Sequence, residues 1–333
     1  MSAPLVLVAG AGAWGSALAN VCARAGARTW LWGRDATVLA AIARERRHPR
    51  LPAEWVFDDA IEPVSGLAGL PTVDCVIFAV PFQTLAGVMA ELRAGLARPR
   101  AVACASKGFE LDSGRLAHAI AADSWSAAMP FAQISGPNFA GEVMLGLPAA
   151  ITVGSADAAL GDLLVRALHG ARFRAYLTRD VVGVEVGGAL KNVMAIAAGI
   201  ADGLRLGANS RAALITRGLA EMARFGLARG GRMETFMGLS GVGDLVLTCT
   251  DDQSRNRRFG LALGRCGDPA QAAAETGALV EGAATARAVA DLAAASGIAM
   301  PIVDAVAAVV RGTLRPMDAV TCLLTRDPTL ETD

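Results

Sequence analysis

The feature that most restricts this chain is Gly10-Ala11-Gly12-Ala13-Trp14-Gly15. It follows the apolar run Leu5-Val6-Leu7-Val8-Ala9 and opens a helical pattern that starts Ser16-Ala17-Leu18-Ala19. Strand, glycine turn and helix in that order form the dinucleotide-binding arrangement. Gly10 permits the tight turn. Gly12 has no side chain, so a pyrophosphate can approach the backbone. Gly15 lets the helix pack closely on the strand. The free N–H groups and positive end of the helix then face the phosphates.

The 333 residues suffice for about two domains. With 53% hydrophobic and 19% charged residues, a large core is easily built. Net charge is zero, so no basic excess points to nucleic acid. Cys22, Cys75, Cys104, Cys249, Cys266 and Cys322 include no CxxC pair. They read as thiols of a reducing compartment, not as a disulfide framework or zinc site, and no metal is expected. The first 23 residues lack charged side chains, as a targeting segment would, but no basic stretch precedes the apolar run and three glycines, Asn20 and two serines interrupt it. The expectation is a cytoplasmic, soluble protein.

Strand-like runs recur at Leu5 to Ala9, Thr29 to Trp32, Cys75 to Val80, Ala101 to Ala105, Gln133 to Ser135 and Ala150 to Val153, with another short one at Phe173 to Leu177. Helical patterns separate most of them, as at Val38 to Arg46 and Leu85 to Leu96. The alternation predicts a parallel, doubly wound α/β sheet over residues 1–180. After about Asp180 the texture changes to 3.6-residue periodicity: Val181 to Ala201, Ala212 to Arg229, Ala284 to Ser296 and Ile302 to Val310. An all-helical second domain over 181–333 is expected. No low-complexity linker separates the halves, so they should pack tightly with a cleft between them.

At the end of the second strand stands Trp32-Gly33-Arg34-Asp35. An acid near this point selects NAD by holding the ribose 2′-OH, whereas an arginine accommodates the 2′-phosphate of NADP. Arg34 therefore favours NADPH, or dual use with NADPH preferred. Asp35 reads as the cap of a helix starting near Ala36; facing the ribose, it would favour NAD instead. Phe82, in the turn after Val80-Pro81, either covers the cofactor or simply packs.

Polar residues cluster in apolar surroundings at four places. Ser106-Lys107-Gly108 follows a strand, so Lys107 points to the nucleotide crevice or is a solvated loop lysine. In Ser135-Gly136-Pro137-Asn138-Phe139-Ala140 a sharp turn offers N–H groups to an anion, or is an ordinary turn. Lys191 and Asn192 interrupt a strongly apolar helix, in which Gly187 and Gly188 leave space for a ligand or a neighbouring backbone. A lysine there is costly to bury unless it has partners or works, which makes Lys191 the best candidate for a catalytic group. Asp244 opens another apolar run as a possible helix cap. Ser254-Arg255-Asn256 then opens a helix suited to phosphate, while Arg255, Arg257 and Arg258 also read as a solvated basic face.

Together these clusters resemble the bacterial NAD(P)-dependent sn-glycerol-3-phosphate dehydrogenases across nearly the full length. The matching blocks are GAGAWG at 10–15, ASKG at 105–108, SGPNFA at 135–140, GGALKNV at 187–193, ALITRGLAEM at 213–222, GVGDLVLTCT at 241–250, SRNRRFG at 254–260 and VEG at 280–282. The resemblance implies a Rossmann-like domain followed by a helical one, commonly in a homodimer. It implies reversible reduction of dihydroxyacetone phosphate to sn-glycerol 3-phosphate, the entry step to glycerophospholipid synthesis. By motif, Lys191 matches the proton donor/acceptor. Lys107, Gly136, Asn138, Asp244, Ser254, Arg255 and Asn256 match substrate positions. Ala13, Trp14, Arg34, Lys107, Ala140, Arg255, Leu279 and Glu281 match cofactor positions, beside the glycines Gly10, Gly12 and Gly15. Asn138 departs from the family pattern, which usually has Thr or Ser there; its reach differs although it still donates and accepts hydrogen bonds.

These residues support a mechanism in which Lys191 protonates the oxygen left negative by hydride attack, Lys107 lowers the Lys191 pKa, and Asp244 holds one ammonium. Arg255 and Asn256 would grip the phosphate. Two rivals stand beside it: another Rossmann-plus-helical dehydrogenase acting on a hydroxy acid, and an NADPH sensor without turnover. A substrate screen separates the first. Against the second stand Lys191, Lys107 and Asp244, since a sensor has no need of a proton relay.

Overall fold

The computed structural model describes residues 3–277 and 280–327. Eight strands form one sheet: β1 (Leu5–Ala9), β2 (Arg28–Trp32), β3 (Ile61–Val64), β4 (Cys75–Phe78), β5 (Ala101–Cys104), β6 (Phe131–Ser135), β7 (Ala149–Ser155) and β8 (Phe173–Thr178). Their spatial order is β3-β2-β1-β4-β5-β6-β7-β8. The chain starts in the middle, winds outward to β3, then returns past β1 and fills the other side, as a doubly wound sheet does.

Side chains along β1 alternate between two cores. Val6 and Val8 pack with Ala17, Leu18 and Val21 of helix Ala13–Arg24 on one face. Leu5, Leu7 and Ala9 pack with Leu85, Met89 and Leu92 of helix Leu85–Gly95 on the other. A strand covered on both faces has no solvent side, which is why it reads as an unbroken apolar run.

Two features differ from the sequence expectation. Strand β3 carries Glu62 and Pro63, and proline is tolerated there because β3 lies at the edge of the sheet. Strand β7 runs antiparallel to β6, with Ser135 opposite Thr152, while β8 is again parallel to β7. Residues 136–148, which link β6 to β7, include only the five-residue helix Ala140–Met144 and make no full crossover.

Beyond Thr178 the described elements are helices. Asp180 starts the first of them: its carboxylate accepts from the Gly183 amide at 2.8 Å and the Arg232 amide at 2.8 Å. The helix it caps, Val181–Gly203, is long and apolar enough to cross a membrane, yet it is buried from Gly183 to Ala201 and forms the axis of the helical core. Helix Arg255–Cys266 crosses it at backbone contact. A Cβ on Gly199 would stand 2.2 Å from the Arg257 carbonyl oxygen, and one on Gly260 2.1 Å from that of Ile196. Gly203 and Gly264 continue the same seam. Buried Glu221, on helix Gly207–Ala228, caps helix Pro301–Val310 by accepting from the Ile302 and Val303 amides at 2.7 and 3.2 Å.

Candidate active site

The carboxyl ends of β1, β4, β5 and β6 open toward the start of the helical half. At β1 the glycine turn takes the form its residues require. Gly10 has φ +125°, and a Cβ there would lie 2.4 Å from the Ala79 carbonyl oxygen. Gly15 sits directly on the Gly10 carbonyl. Gly12 differs, because a Cβ on it would meet nothing within 4 Å. Helix Ala13–Arg24 has no side-chain cap and no acid in its first turn. Trp14 Nε1 and Ser16 Oγ are buried there without a partner. An open glycine, a bare helix N-terminus and unspent donors fit a dinucleotide phosphate.

Arg34 and Asp35 follow β2. Arg34 is exposed and pairs with Glu91 at 2.9 Å. Asp35 caps helix Ala36–Glu45, one oxygen accepting from the Thr37 and Val38 amides at 3.1 and 3.2 Å, while its other oxygen pairs with Arg50 at 2.8 Å. Of the two readings of Asp35, the geometry is that of the cap.

Lys107 follows β5. Its neighbour Ser106 donates to the Val80 carbonyl at 2.6 Å and accepts from the Val80 amide at 3.2 Å, locking the β4 and β5 turns together. Gly108 has φ +158° and lies against the Phe82 ring. Phe82 is thus buried in the core, and its amide donates to Glu281 at 3.2 Å. After β6, Gly136 has φ +153°. Asn138 Nδ2 donates to the Ala150 carbonyl at 2.8 Å, leaving its Oδ1 buried without a partner. Ala140 begins helix Ala140–Met144 and packs in the cluster that includes Trp14.

The two halves meet at Asp244. A π-helical turn, Leu239–Gly243, leads into helix Asp244–Thr250, so Asp244 is its first residue rather than its cap. Gly187 admits this turn, since a Cβ there would lie 2.4 Å from the Ser240 carbonyl oxygen. Asp244 is fully buried. Its Oδ1 accepts from Lys191 Nζ at 2.5 Å and its Oδ2 from Lys107 Nζ at 2.8 Å. It therefore holds both ammonium groups, where sequence reasoning gave it one. Lys107, with a side chain 14% exposed, is no solvated loop lysine. Gly188 makes room for this contact, because a Cβ there would press on Ser135 Oγ and the Lys107 stem.

Two hydroxyls complete the cluster. Thr248 lies one turn beyond Asp244, accepts from Lys191 Nζ at 3.0 Å and donates to the Asp244 carbonyl at 2.6 Å. Ser135 Oγ lies 3.4 Å from Asp244 Oδ2. Sequence reasoning singled out neither, although the i, i+4 spacing of Asp244 and Thr248 places them on one helix face.

The electrostatics follow from burial and from unequal charges. Burial pushes the Lys191 ammonium down to about 8; Asp244 opposes the shift and Lys107 adds to it. For Asp244, burial alone would raise the carboxyl. The ammonium groups of Lys107 and Lys191 outweigh it and hold the group below the usual carboxylate range. Burial also raises Glu281, against the Phe82 amide and the charge of Arg255.

Ser254 caps helix Arg255–Cys266, accepting from the Arg257 amide at 3.2 Å. Arg255 is exposed at the helix start. Asn256 bridges two elements: its Nδ2 donates to Asn192 Oδ1 at 3.0 Å and its Oδ1 accepts from the Gly282 amide at 3.0 Å. Arg257 is buried, unlike exposed Arg255 and Arg258, so these three do not form one solvated face. Of the remaining sequence-predicted positions, Leu279 lies outside the described residues.

The sequence comparisons agree across the chain. The family profiles described as NAD-dependent glycerol-3-phosphate dehydrogenase N-terminus and C-terminus match residues 5–161 and 180–321. A glycerol-3-phosphate dehydrogenase [NAD(P)+] of Thioalkalivibrio sulfidiphilus is 49% identical over 328 residues, covering 98% of each chain. One from Xanthomonas campestris is 47% identical, covering 97% of this chain and 95% of its own. The crystal structure of glycerol-3-phosphate dehydrogenase from Coxiella burnetii superposes with a TM-score of 0.91 at 40% identity, covering 97% of this chain and 99% of that one. The chain belongs to the NAD-dependent glycerol-3-phosphate dehydrogenase family.

Proposed function

We propose that this chain catalyses the reversible NAD(P)H-dependent reduction of dihydroxyacetone phosphate to sn-glycerol 3-phosphate. The observation that carries the reading is the buried Lys107–Asp244–Lys191 cluster, set where the strand ends meet the helical half. A bound dihydronicotinamide supplies the hydride to the ketone carbon. Lys191 gives a proton to the ketone oxygen as it becomes an alkoxide, and takes one from the alcohol in the reverse direction. A lysine held near 8 exchanges protons in neutral to mildly alkaline solution, which an ordinary lysine does poorly. Asp244 stays ionised and, with Thr248, fixes the Lys191 ammonium in place. Lys107 adds positive charge beside the developing oxyanion.

The phosphate falls to Ser254, Arg255 and Asn256, where a guanidinium, an amide and a helix N-terminus converge. The Gly136 turn and the unspent Oδ1 of Asn138 face the rest of the substrate. Gly10, Gly12, Ala13, Trp14 and Gly15 would hold the dinucleotide, with Lys107, Ala140, Arg255 and Glu281 beside it and Phe82 backing this wall. Arg34 takes the 2′-phosphate of NADPH. Support comes from the occupation of Asp35 by two amides and Arg50; exposed Arg34 would exchange its Glu91 partner for the phosphate.

We divide the chain at Asp180 into a dinucleotide-binding domain, 1–180, and a helical substrate domain, 181–333. The enzyme acts as a cytoplasmic homodimer supplying glycerophospholipid synthesis. An apolar groove of about 670 Å³ lined by Leu214, Ile302, Val306 and Leu323 supports self-association.

The test is NADPH oxidation followed by absorbance, with dihydroxyacetone phosphate, unphosphorylated dihydroxyacetone and a 2-keto acid as substrates, and NADH in parallel. Turnover confined to the phosphate ester with NADPH preferred is expected. Preference for NADH would move the ribose contact from Arg34 to Asp35. Turnover of the keto acid alone would return the hydroxy-acid reading, and NADPH binding without any turnover the sensor reading.

A further inference from the structure

Arg257 stands in the run Ser254-Arg255-Asn256-Arg257-Arg258, yet its side chain turns away from the site. Only 10% of that side chain is exposed. Its three donor groups reach three different places. Nε donates to the Cys249 carbonyl at 3.0 Å, at the last turn of the helix that carries Asp244 and Thr248. Nη2 donates to Asp202 at 2.6 Å, at the last turn of the helix that carries Lys191. Nη1 pairs with Asp252 in the connection ahead of Ser254. Its own amide donates to the Ser254 cap at 3.2 Å. One guanidinium thus ties together every helical element that brings a group to the substrate. The planar fork of arginine can do this with fixed angles, and lysine cannot.

The location matters because Asn256 and Asn192 fasten one end of this contact at 3.0 Å, and Arg257 adds another directional fastening further along it. Gly199, Gly203, Gly260 and Gly264 let the two helices touch through their backbones. Such a seam fixes the separation of the helices but resists sliding weakly, since it offers few interlocking side chains. Arg257 fastens the seam toward Gly203, at the end of the helix that carries Lys191, while Asn256 fastens it beside Lys191.

We infer that Arg257 is a positioning residue that sets the register of the phosphate-holding turn, Ser254 to Asn256, against Lys191 and Asp244. The inference rests on the proposed phosphate-ester substrate. Arg257 itself touches neither phosphate nor ketone. Its removal keeps the phosphate-holding groups in the chain but shifts their turn, which weakens a grip that depends on several donors converging on one anion.

The test compares Arg257→Lys with the wild-type chain. The readings are sn-glycerol 3-phosphate binding by titration calorimetry, the KM and kcat for dihydroxyacetone phosphate, and thermal unfolding. In folded protein, binding should weaken and KM rise by about tenfold or more, with kcat at saturation changed less than about threefold. Lost thermal stability with Kd and KM within twofold of wild type would reduce Arg257 to a structural role and overturn the inference. If Arg257→Lys does not fold, Asp202→Asn keeps the guanidinium and its other contacts. It should raise Kd and KM by about threefold, and unchanged values would again overturn the inference. A wild-type chain that binds no sn-glycerol 3-phosphate overturns the inference together with the substrate reading. Wild-type binding that Arg257→Lys leaves intact overturns the inference alone.

Discussion

Glycine does opposite work at two places in this molecule. At the end of β1, Gly12 leaves a space that no protein atom enters within 4 Å. In the helical half, Gly199 and Gly260 leave spaces that backbone carbonyls already fill, at 2.2 and 2.1 Å from where a Cβ would be. The first absence is room for a ligand and the second is room for the fold. The difference teaches how to read glycine in this chain: its function is set by what lies opposite. Gly187 and Gly188 are of the second kind, since they admit the Ser240 carbonyl and the Ser135 hydroxyl that stand beside the assembled site.

Substitutions can pull these roles apart. The largest effect is expected at Lys191, whose helix also carries Gly187 and Gly188. Lys191→Ala should lower kcat by about 1,000-fold, or ~4 kcal/mol of barrier, with NADPH binding and thermal stability retained. Near-normal kcat would remove Lys191 from the chemistry. Gly260→Ala drives a methyl into the Ile196 carbonyl and should destabilise the chain by about 3 kcal/mol, read from denaturant unfolding. A loss below ~1 kcal/mol would show that the helix seam yields. Gly12→Ala should behave the other way, with an unchanged unfolding curve and NADPH affinity reduced about tenfold in fluorescence titration. Destabilisation without lost affinity would put Gly12 among the packing glycines. The pH profile gives the smallest signal near neutrality. Reduction needs protonated Lys191, so kcat/KM, which reports the free enzyme, should be level below pH 8 and fall about tenfold for each unit above it. Oxidation needs the neutral amine and should rise toward pH 8 before levelling. Profiles of the same sign in both directions would exclude one lysine from acting as acid and base.

Much of the architecture was legible because burial on both faces leaves a plain mark. β1 and β5 are continuous apolar runs, and the texture change near Asp180 falls where the last strand ends and the long helix starts. β3 left no mark, since an edge strand tolerates the Glu62-Pro63 pair that breaks the pattern. The reversed β7 was equally silent: local sequence specifies that a strand forms, while its direction depends on the path of the connection. Lys107, Lys191 and Asp244 stood out as charges in apolar surroundings, and the structure brings them together. Thr248 and Ser135 carry no charge and gain their meaning only from contacts 57 and 109 positions away in sequence. Arg257 was hidden by Arg255 and Arg258, because three arginines in four residues do not reveal which one turns inward.

The cluster at Asp244 also has an electrical consequence. Two ammonium groups share one carboxylate, so with both lysines protonated the trio carries an uncompensated positive charge in a buried place. Loss of the Lys191 proton would bring the trio to neutrality, and burial already favours that loss. An arriving phosphate dianion restores the balance from outside and makes the proton worth keeping. On the proposed reaction, substrate binding and proton uptake would therefore be linked: in mildly alkaline solution the anion would bring Lys191, its acid, into the charged form, and the alcohol product would leave most readily once that charge has dispersed.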